Sequence, residues 1–299
     1  MKILVTGSSG LIGSALAQHF TENGCPVIRL VRGSTPRASG DLGWDPDSGQ
    51  LEESQIEGFD AVVHLAGKNI ASGRWTPAMK AEIRASRVRS TRMLCEALRK
   101  LERPPKVLAS ASSIGIYGNR GAEMLTEADS AGTGFLAEVT KEWEASTKPA
   151  AEKGIRVIHL RFGVVLSLRG GALARMLPPF KMGLGGALGT GEQYWSWIAI
   201  HDAVRAIHHA LVTDSLVGPV NIVSPAPVTN LDFTLDLGAA LRRPAFLKVP
   251  AFAARLAFGE MADEALLAST RVFPAKLRSN GFTFQHQDLP EALRSLLPK

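Results

Sequence analysis

MKILVTGSSGLIG, residues 1–13, is the stretch on which the reading of the whole chain turns. Ile3, Leu4 and Val5 make a short apolar run that suits a buried strand and is far too short to cross a bilayer. Gly7, Gly10 and Gly13 follow as G-x-x-G-x-x-G, and from there Leu11, Ile12, Ala15, Leu16 and Phe20 recur at helical spacing until Asn23-Gly24. Strand, glycine turn and helix in that order predict a dinucleotide site. The first glycine permits the bend, the second lets bare backbone approach a pyrophosphate, and the third lets helix and strand pack closely. The helix N-terminus then offers its free N–H groups to the phosphates.

The end of the second strand decides which dinucleotide. NAD-binding chains place an acid there, about 20 residues after the turn, to take the ribose hydroxyls. The candidate strand is Pro26–Val31, followed by Arg32-Gly33-Ser34-Thr35-Pro36-Arg37, with no acid before Asp41. A guanidinium presents a fork to a phosphate, so Arg32 reads as a ligand for the 2′-phosphate of NADP, the alternative being a solvated arginine at a strand end.

The 299 residues, 45% hydrophobic and 21% charged, suffice for one large core and a smaller appended one. Only three apolar residues separate Lys2 from Thr6, too few for a secretory leader, and no later run approaches a membrane span. The expectation is a cytoplasmic protein without a membrane partner. Cys25 and Cys95 share no metal or redox spacing. The net charge of +6 and the crowding of Arg84, Arg87, Arg89 and Arg92 raise nucleic acid as a partner, but no recognised motif is present and aromatics do not interleave with the basic residues. Four arginines at helical spacing read instead as a solvated face, with one or two turned to an anionic ligand.

A polar loop runs from Arg32 to about Gly58. Phe59–Gly67 then reads as a buried strand whose end faces the cofactor, since ligands in open parallel sheets lie at the carboxyl ends of strands. His64 in it reads as a catalyst or as a hydrogen-bonded structural histidine. A long amphipathic helix is expected over Pro77–Lys100, a strand over Val107–Ala111, a helix over about Phe135–Glu152 and a strand over Ile155–Leu160. This rhythm implies an α/β fold with a doubly wound parallel sheet. From Gly170 the rhythm breaks into an irregular segment with Pro178-Pro179 and glycines from Gly183 to Gly191, ending in Trp195-Ser196-Trp197. A helix over His201–Val212 and a strand over Pro219–Val223 rejoin the main sheet. The expected division is 1–166, completed by about 198–223, for the nucleotide domain, and 167–197 with 224–299 for a smaller α+β lobe.

The glycine turn, the stretch Asp60–Gly67, Ser112-Ser113 with Tyr117-Gly118, and Arg161-Phe162-Gly163 together resemble the extended short-chain dehydrogenase/reductase superfamily, whose Rossmann sheet the rhythm matches. More narrowly, Ala66-Gly67-Lys68-Asn69-Ile70, Arg74-Trp75-Thr76, Trp143-Glu144, Leu177-Pro178-Pro179-Phe180, Gly183–Gly186, Trp195–Ile198, Pro250-Ala251-Phe252 and Asn280-Gly281-Phe282 resemble an atypical branch labelled nucleoside-diphosphate-sugar epimerase, with a C-terminal domain of unassigned role. The resemblance implies NADP held by Gly7, Ser9, Gly10, Leu11, Ile12, Gly13, Val31, Arg32, His64, Leu65, Ala66, Gly67 and Arg161. Ser113 matches the serine that hydrogen-bonds the reacting oxygen. The superfamily also contains dimers built on a helix pair.

The superfamily's Tyr-x-x-x-Lys pair is absent: four residues after Tyr117 and Tyr194 stand Gly121 and Ile198, and Lys141 would need its tyrosine at Ala137. Two readings follow. In one, the chain is an NADP-dependent oxidoreductase or epimerase in which Tyr117, or failing it Glu138, Lys141 or His201, passes the proton. In the other it is a NADP(H)-binding sensor or scaffold. A small-molecule substrate or, in the second reading, a partner or small ligand is expected in a cleft between the lobes lined by Gly183–Gly191, Trp195 and Trp197, the alternative for the tryptophan pair being ordinary core packing.

Overall fold

The computed structural model describes residues 1–33 and 40–297; the stretch Ser34-Thr35-Pro36-Arg37 quoted above lies outside the described residues. Seven parallel strands form the central sheet: β1 Ile3–Thr6, β2 Val27–Arg32, β3 Leu42–Trp44, β4 Ala61–His64, β5 Val107–Ser113, β6 Arg156–Phe162 and β7 Gly218–Ile222. Their spatial order is 3-2-1-4-5-6-7, so chain direction across the sheet reverses between β1 and β4. Thr6 lies opposite His64 on one side and Leu30 on the other.

Both faces of the sheet are covered, which is why the central strands β1 and β4 are buried along their whole length and read as short apolar runs, Ile3-Leu4-Val5 and Ala61-Val62-Val63. Ile3, Val5 and Val63 turn to one face with Leu16 and Phe20 of α1 (Leu11–Glu22). Leu4, Val62 and Leu108 turn to the other with Leu94 and Leu98 of α2 (Pro77–Lys100). The start of α2 is set by Thr76, whose side chain accepts from the Met79 N–H, and by Pro77 in the first turn. The expected helix over 135–152 is two, α3 Phe135–Ala145 and α4 Lys148–Glu152. Between them Ser146 and Thr147 bond their hydroxyls back to the Trp143 and Glu144 carbonyls, and Pro149 has no N–H to continue the ladder.

The segment read as irregular contains α5, Gly171–Lys181, with Pro178 and Pro179 inside it. Leu173, Leu177 and Phe180 of α5 bury themselves with Trp195, Trp197, Phe233, Leu237 and Leu293 in a separate core. α6 Ile200–Val212 leads back to β7, and α7 Asn230–Leu241, α8 Ala251–Phe258, α9 Ala275–Ser279 and α10 Leu289–Leu296 complete the chain. Short ladders stitch these parts together, Val164–Leu166 with Trp197–Ala199 and Gly186–Leu188 with Leu247–Val249 among them. No helix among the described residues is long and apolar enough to cross a membrane.

Candidate functional site

The glycine turn is built as its chemistry requires. Gly7 sits at φ +66°, and a Cβ there would come within 2.6 Å of the Leu65 carbonyl carbon and 2.8 Å of the Ala66 nitrogen. A Cβ on Gly13 would collide with the Gly7 carbonyl oxygen and lie 2.8 Å from Ser8 Cα. Backbone therefore packs on backbone from β1 through the turn to the loop after β4. Gly10 caps α1 without a side-chain hydrogen bond, and the first turn carries no acid. Ser9 and Gly10 are exposed while Leu11 and Ile12 are half-buried, so the positive end of α1 remains open to an external anion. At the end of β2, Val31 is half-buried and Arg32 is 55% exposed, its only ion-pair partner among the described residues being Asp47 at 3.9 Å. Such a loose exposed pair contributes little and leaves the guanidinium available.

The end of β4 corrects one expectation. His64 is fully buried, with Nδ1 2.7 Å from Thr6 Oγ1 and Nε2 2.9 Å from Thr91 Oγ1. Thr6 Oγ1 already accepts from the N–H groups of Leu65 and Ala66, so its own proton points to Nδ1 and the imidazole carries hydrogen on Nε2. Burial pushes the His64 pKa down to about 4, and the ring stays neutral. Its side chain therefore ties β1, β4 and α2 together and has no surface for a cofactor.

The end of β5 corrects two more. Ser113 is half-buried, and its Oγ accepts from the Gly115 N–H at 3.0 Å. Tyr117, by contrast, has no exposed surface. Its hydroxyl accepts from Arg161 Nη1 at 2.9 Å and has Asn221 Oδ1 and the Thr126 carbonyl at 2.8 and 2.9 Å to receive its one proton. Burial outweighs Arg161 and pushes the phenol pKa up. Arg161 is spent inside the protein as well, gripping Glu144 with Nε and Nη2 at 2.8 and 2.9 Å. Burial alone would raise the Glu144 carboxyl; Arg161, His159 and the Ser112 hydroxyl together hold it below its ordinary range. Tyr117 and Arg161 thus form a buried polar lock between β5, β6, β7 and α3, and the chain length separating Glu144 from both hid this in the sequence.

Gly115 lies between the serine and α3: a Cβ there would lie 3.2 Å from both Ser113 Oγ and Leu136 Cβ. Ala137 is buried, and the Lys141 amine is directed to the Gly132 carbonyl on the exposed side of α3. Glu138 is exposed and faces Arg84 at 3.8 Å, and His201 is exposed at the start of α6. Trp195 and Trp197 do not line a cleft. Their indole N–H groups donate to the Leu266 and Ala226 carbonyls within the core. An open groove of about 930 Å³ lies instead among α2, α3 and residues 260–264, lined by Trp75, Lys80, Arg84, Phe135, Glu138 and Glu264.

The profile of the NAD dependent epimerase/dehydratase family matches residues 3–223, and that of DUF1731, a domain of unknown function, matches residues 249–296. Epimerase family protein Mb2239 of Mycobacterium bovis is 46% identical over 291 residues, 97% of this chain and 96% of that protein. The crystal structure of human epimerase family protein SDR39U1 with NADPH is similar at a TM-score of 0.89 and 32% identity, covering 99% of each chain. A nucleoside-diphosphate sugar epimerase from Corynebacterium glutamicum is similar at a TM-score of 0.80 and 36% identity, over 99% of this chain and 58% of that one. The chain belongs to the NAD dependent epimerase/dehydratase family, as a member in which a DUF1731 domain follows the Rossmann sheet.

Proposed function

We propose that the protein binds NADP(H) and is an oxidoreductase in which Ser113, and no tyrosine, holds the reacting oxygen of a small-molecule substrate. The half-buried Ser113 hydroxyl at the carboxyl end of β5, two strands from the glycine turn, is the observation that carries the reading. Gly7, Gly10, Gly13 and the open N-terminus of α1 fit a diphosphate, and Arg32 fits a 2′-phosphate. NADPH, when bound, supplies a hydride. Ser113 donates a hydrogen bond to the substrate oxygen, and Leu136, across Gly115 from it, offers no proton. The proton therefore comes from solvent or from the substrate itself, and the site sits in the cytoplasm.

The same Leu136 and the sealed Tyr117 favour a second reading, a NADP(H) sensor that needs no acid. Single-turnover nicotinamide fluorescence separates the two. Protein loaded with NADPH and mixed with a protein-free metabolite pool should lose its signal, more slowly in Ser113→Ala by about 10-fold or more and at an unchanged rate in Tyr117→Phe. A signal that persists in the native protein removes the oxidoreductase. Slowing in Tyr117→Phe at intact stability would return the proton to the tyrosine.

A further inference from the structure

Two segments of the chain, 153–191 and 237–259, contain no aspartate or glutamate. The short ladder of Gly186–Leu188 with Leu247–Val249 joins them, and a Cβ on Gly183 would lie 3.4 Å from Pro244 Cγ. The turn after α5 and the loop after α7 are therefore neighbours. Met182 and Leu184 on the first are exposed, as are Phe246 and Leu247 on the second, Phe246 at 76%. α8 follows directly, and a Cβ on Gly189 would lie 3.9 Å from Ala251 Cβ at its start. The buried residue of α8 is Ala254; Phe252 and Leu256, two positions to either side, fall on the opposite side of the helix and are 70 and 73% exposed. Arg74 Nη1 donates to the Leu256 carbonyl at 3.2 Å and fixes α8 to the loop after β4.

Single exposed apolar side chains are ordinary, but aromatic and aliphatic side chains of this size around one ladder make a patch that calls for a partner. The surrounding charge is of one sign. Lys181, Arg242, Arg243 and Lys248 are exposed, and among the described residues none of them is in an ion pair, whereas Arg255 on α8 is held by Asp263 at 2.9 Å. A second copy of the chain would bring the same cations against each other with no acid in either segment to answer them, so the face is not complementary to itself. Apolar side chains that protrude among unpaired lysine and arginine match hydrocarbon beneath an anionic headgroup layer. The tips enter the acyl boundary and the cations stay at the phosphates.

We propose that residues 181–184, residues 242–248 and α8 form a docking surface for the anionic leaflet of a lipid bilayer. The contact is with one leaflet and requires no spanning helix, and it stands independently of what the glycine turn binds.

Co-flotation of the full chain with vesicles tests it, using phosphatidylcholine alone or with about one-third phosphatidylglycerol. Native protein should float with the anionic vesicles and not with the neutral ones. Phe246→Ser combined with Phe252→Ser should lower the partition coefficient by about 10-fold or more. Arg242→Gln, Arg243→Gln and Lys248→Gln together should lower it by about 5-fold for each charge removed. Because all five side chains are exposed, both variants should keep the native melting temperature. On anionic vesicles the emission of Phe252→Trp should shift to the blue as that side chain enters hydrocarbon. Native protein that stays below the anionic vesicles overturns the proposal. So does flotation that the serine pair leaves unchanged, which is adsorption of a basic protein through charge alone. A native dimer that the serine pair dissociates in sedimentation velocity would assign the face to a second copy and overturn it as well.

Discussion

Acidification tests the buried state of His64 directly. The imidazole is neutral in the fold, with its pKa at about 4 against 6.5 for an unhindered histidine. The unfolded chain therefore binds more protons here than the native one below pH 6.5, and stability rises with pH across that window. The His64 contribution is complete above the unfolded pKa and erodes as pH falls from 6.5 towards 4. Linkage over this interval amounts to a loss of about 0.8 kcal/mol at pH 6 and about 2 kcal/mol at pH 5, relative to pH 7.5. Urea unfolding of the native protein and His64→Gln at pH 7.5, 6 and 5, followed by tryptophan fluorescence, isolates the effect. His19, His159 and His208, whose pKa values burial also lowers, titrate in both proteins and cancel in the difference. The stability gap between the two proteins should shrink by about 2 kcal/mol between pH 7.5 and pH 5. A gap that stays constant would mean that the imidazole protonates in the fold as readily as in the open chain, and the Thr6–His64–Thr91 chain would lose its place in the argument.

Arg32→Ala should lower NADPH affinity by about 10- to 100-fold and leave NADH affinity unchanged; fluorescence titration with both nucleotides measures the ratio, and an unaltered preference removes Arg32 from the site. Glu144→Gln should cost about 3–5 kcal/mol, because it strands the buried Arg161 guanidinium. Glu144→Gln combined with Arg161→Met should be more stable than Glu144→Gln alone, a sign that urea denaturation reads without any ligand. Equal or additive losses would show that the pair is not the lock described.

The parts of the fold legible in the sequence are those dictated locally. A turn that brings backbone within van der Waals contact of backbone needs glycine at Gly7 and Gly13, and a parallel strand covered on both faces needs the run Ile3-Leu4-Val5. The α/β alternation up to Phe162 follows from periodicity in the same way. α5 escaped because Pro178-Pro179 reads as an interruption, whereas the prolines fall within its second half and Leu173, Leu177 and Phe180 still share a buried side. β3 escaped because three residues are too few for a pattern, although Trp44 packs edge-on to His64 at 6.0 Å between ring centroids.

The candidate site divides along the same line. Residues whose role depends on backbone shape, Gly7 to Gly13, are visible from spacing, while residues whose role depends on what distant chain brings to them are not. Tyr117 looks like a cleft tyrosine until Asn221, 104 positions later, and Arg161 close over its hydroxyl. Arg161 looks like a cofactor ligand until Glu144 on α3 claims its fork. Arg87 presents the opposite case. On a helical net it is one arginine in a solvated set, and only the arrival of Trp143 from α3 and Gly67 from the β4 loop strips its water and withholds a carboxylate. The buried Arg161 meets an acid and the half-buried Arg87 meets an indole ring, so two side chains of the same chemistry are held differently because of what distant chain brings to each.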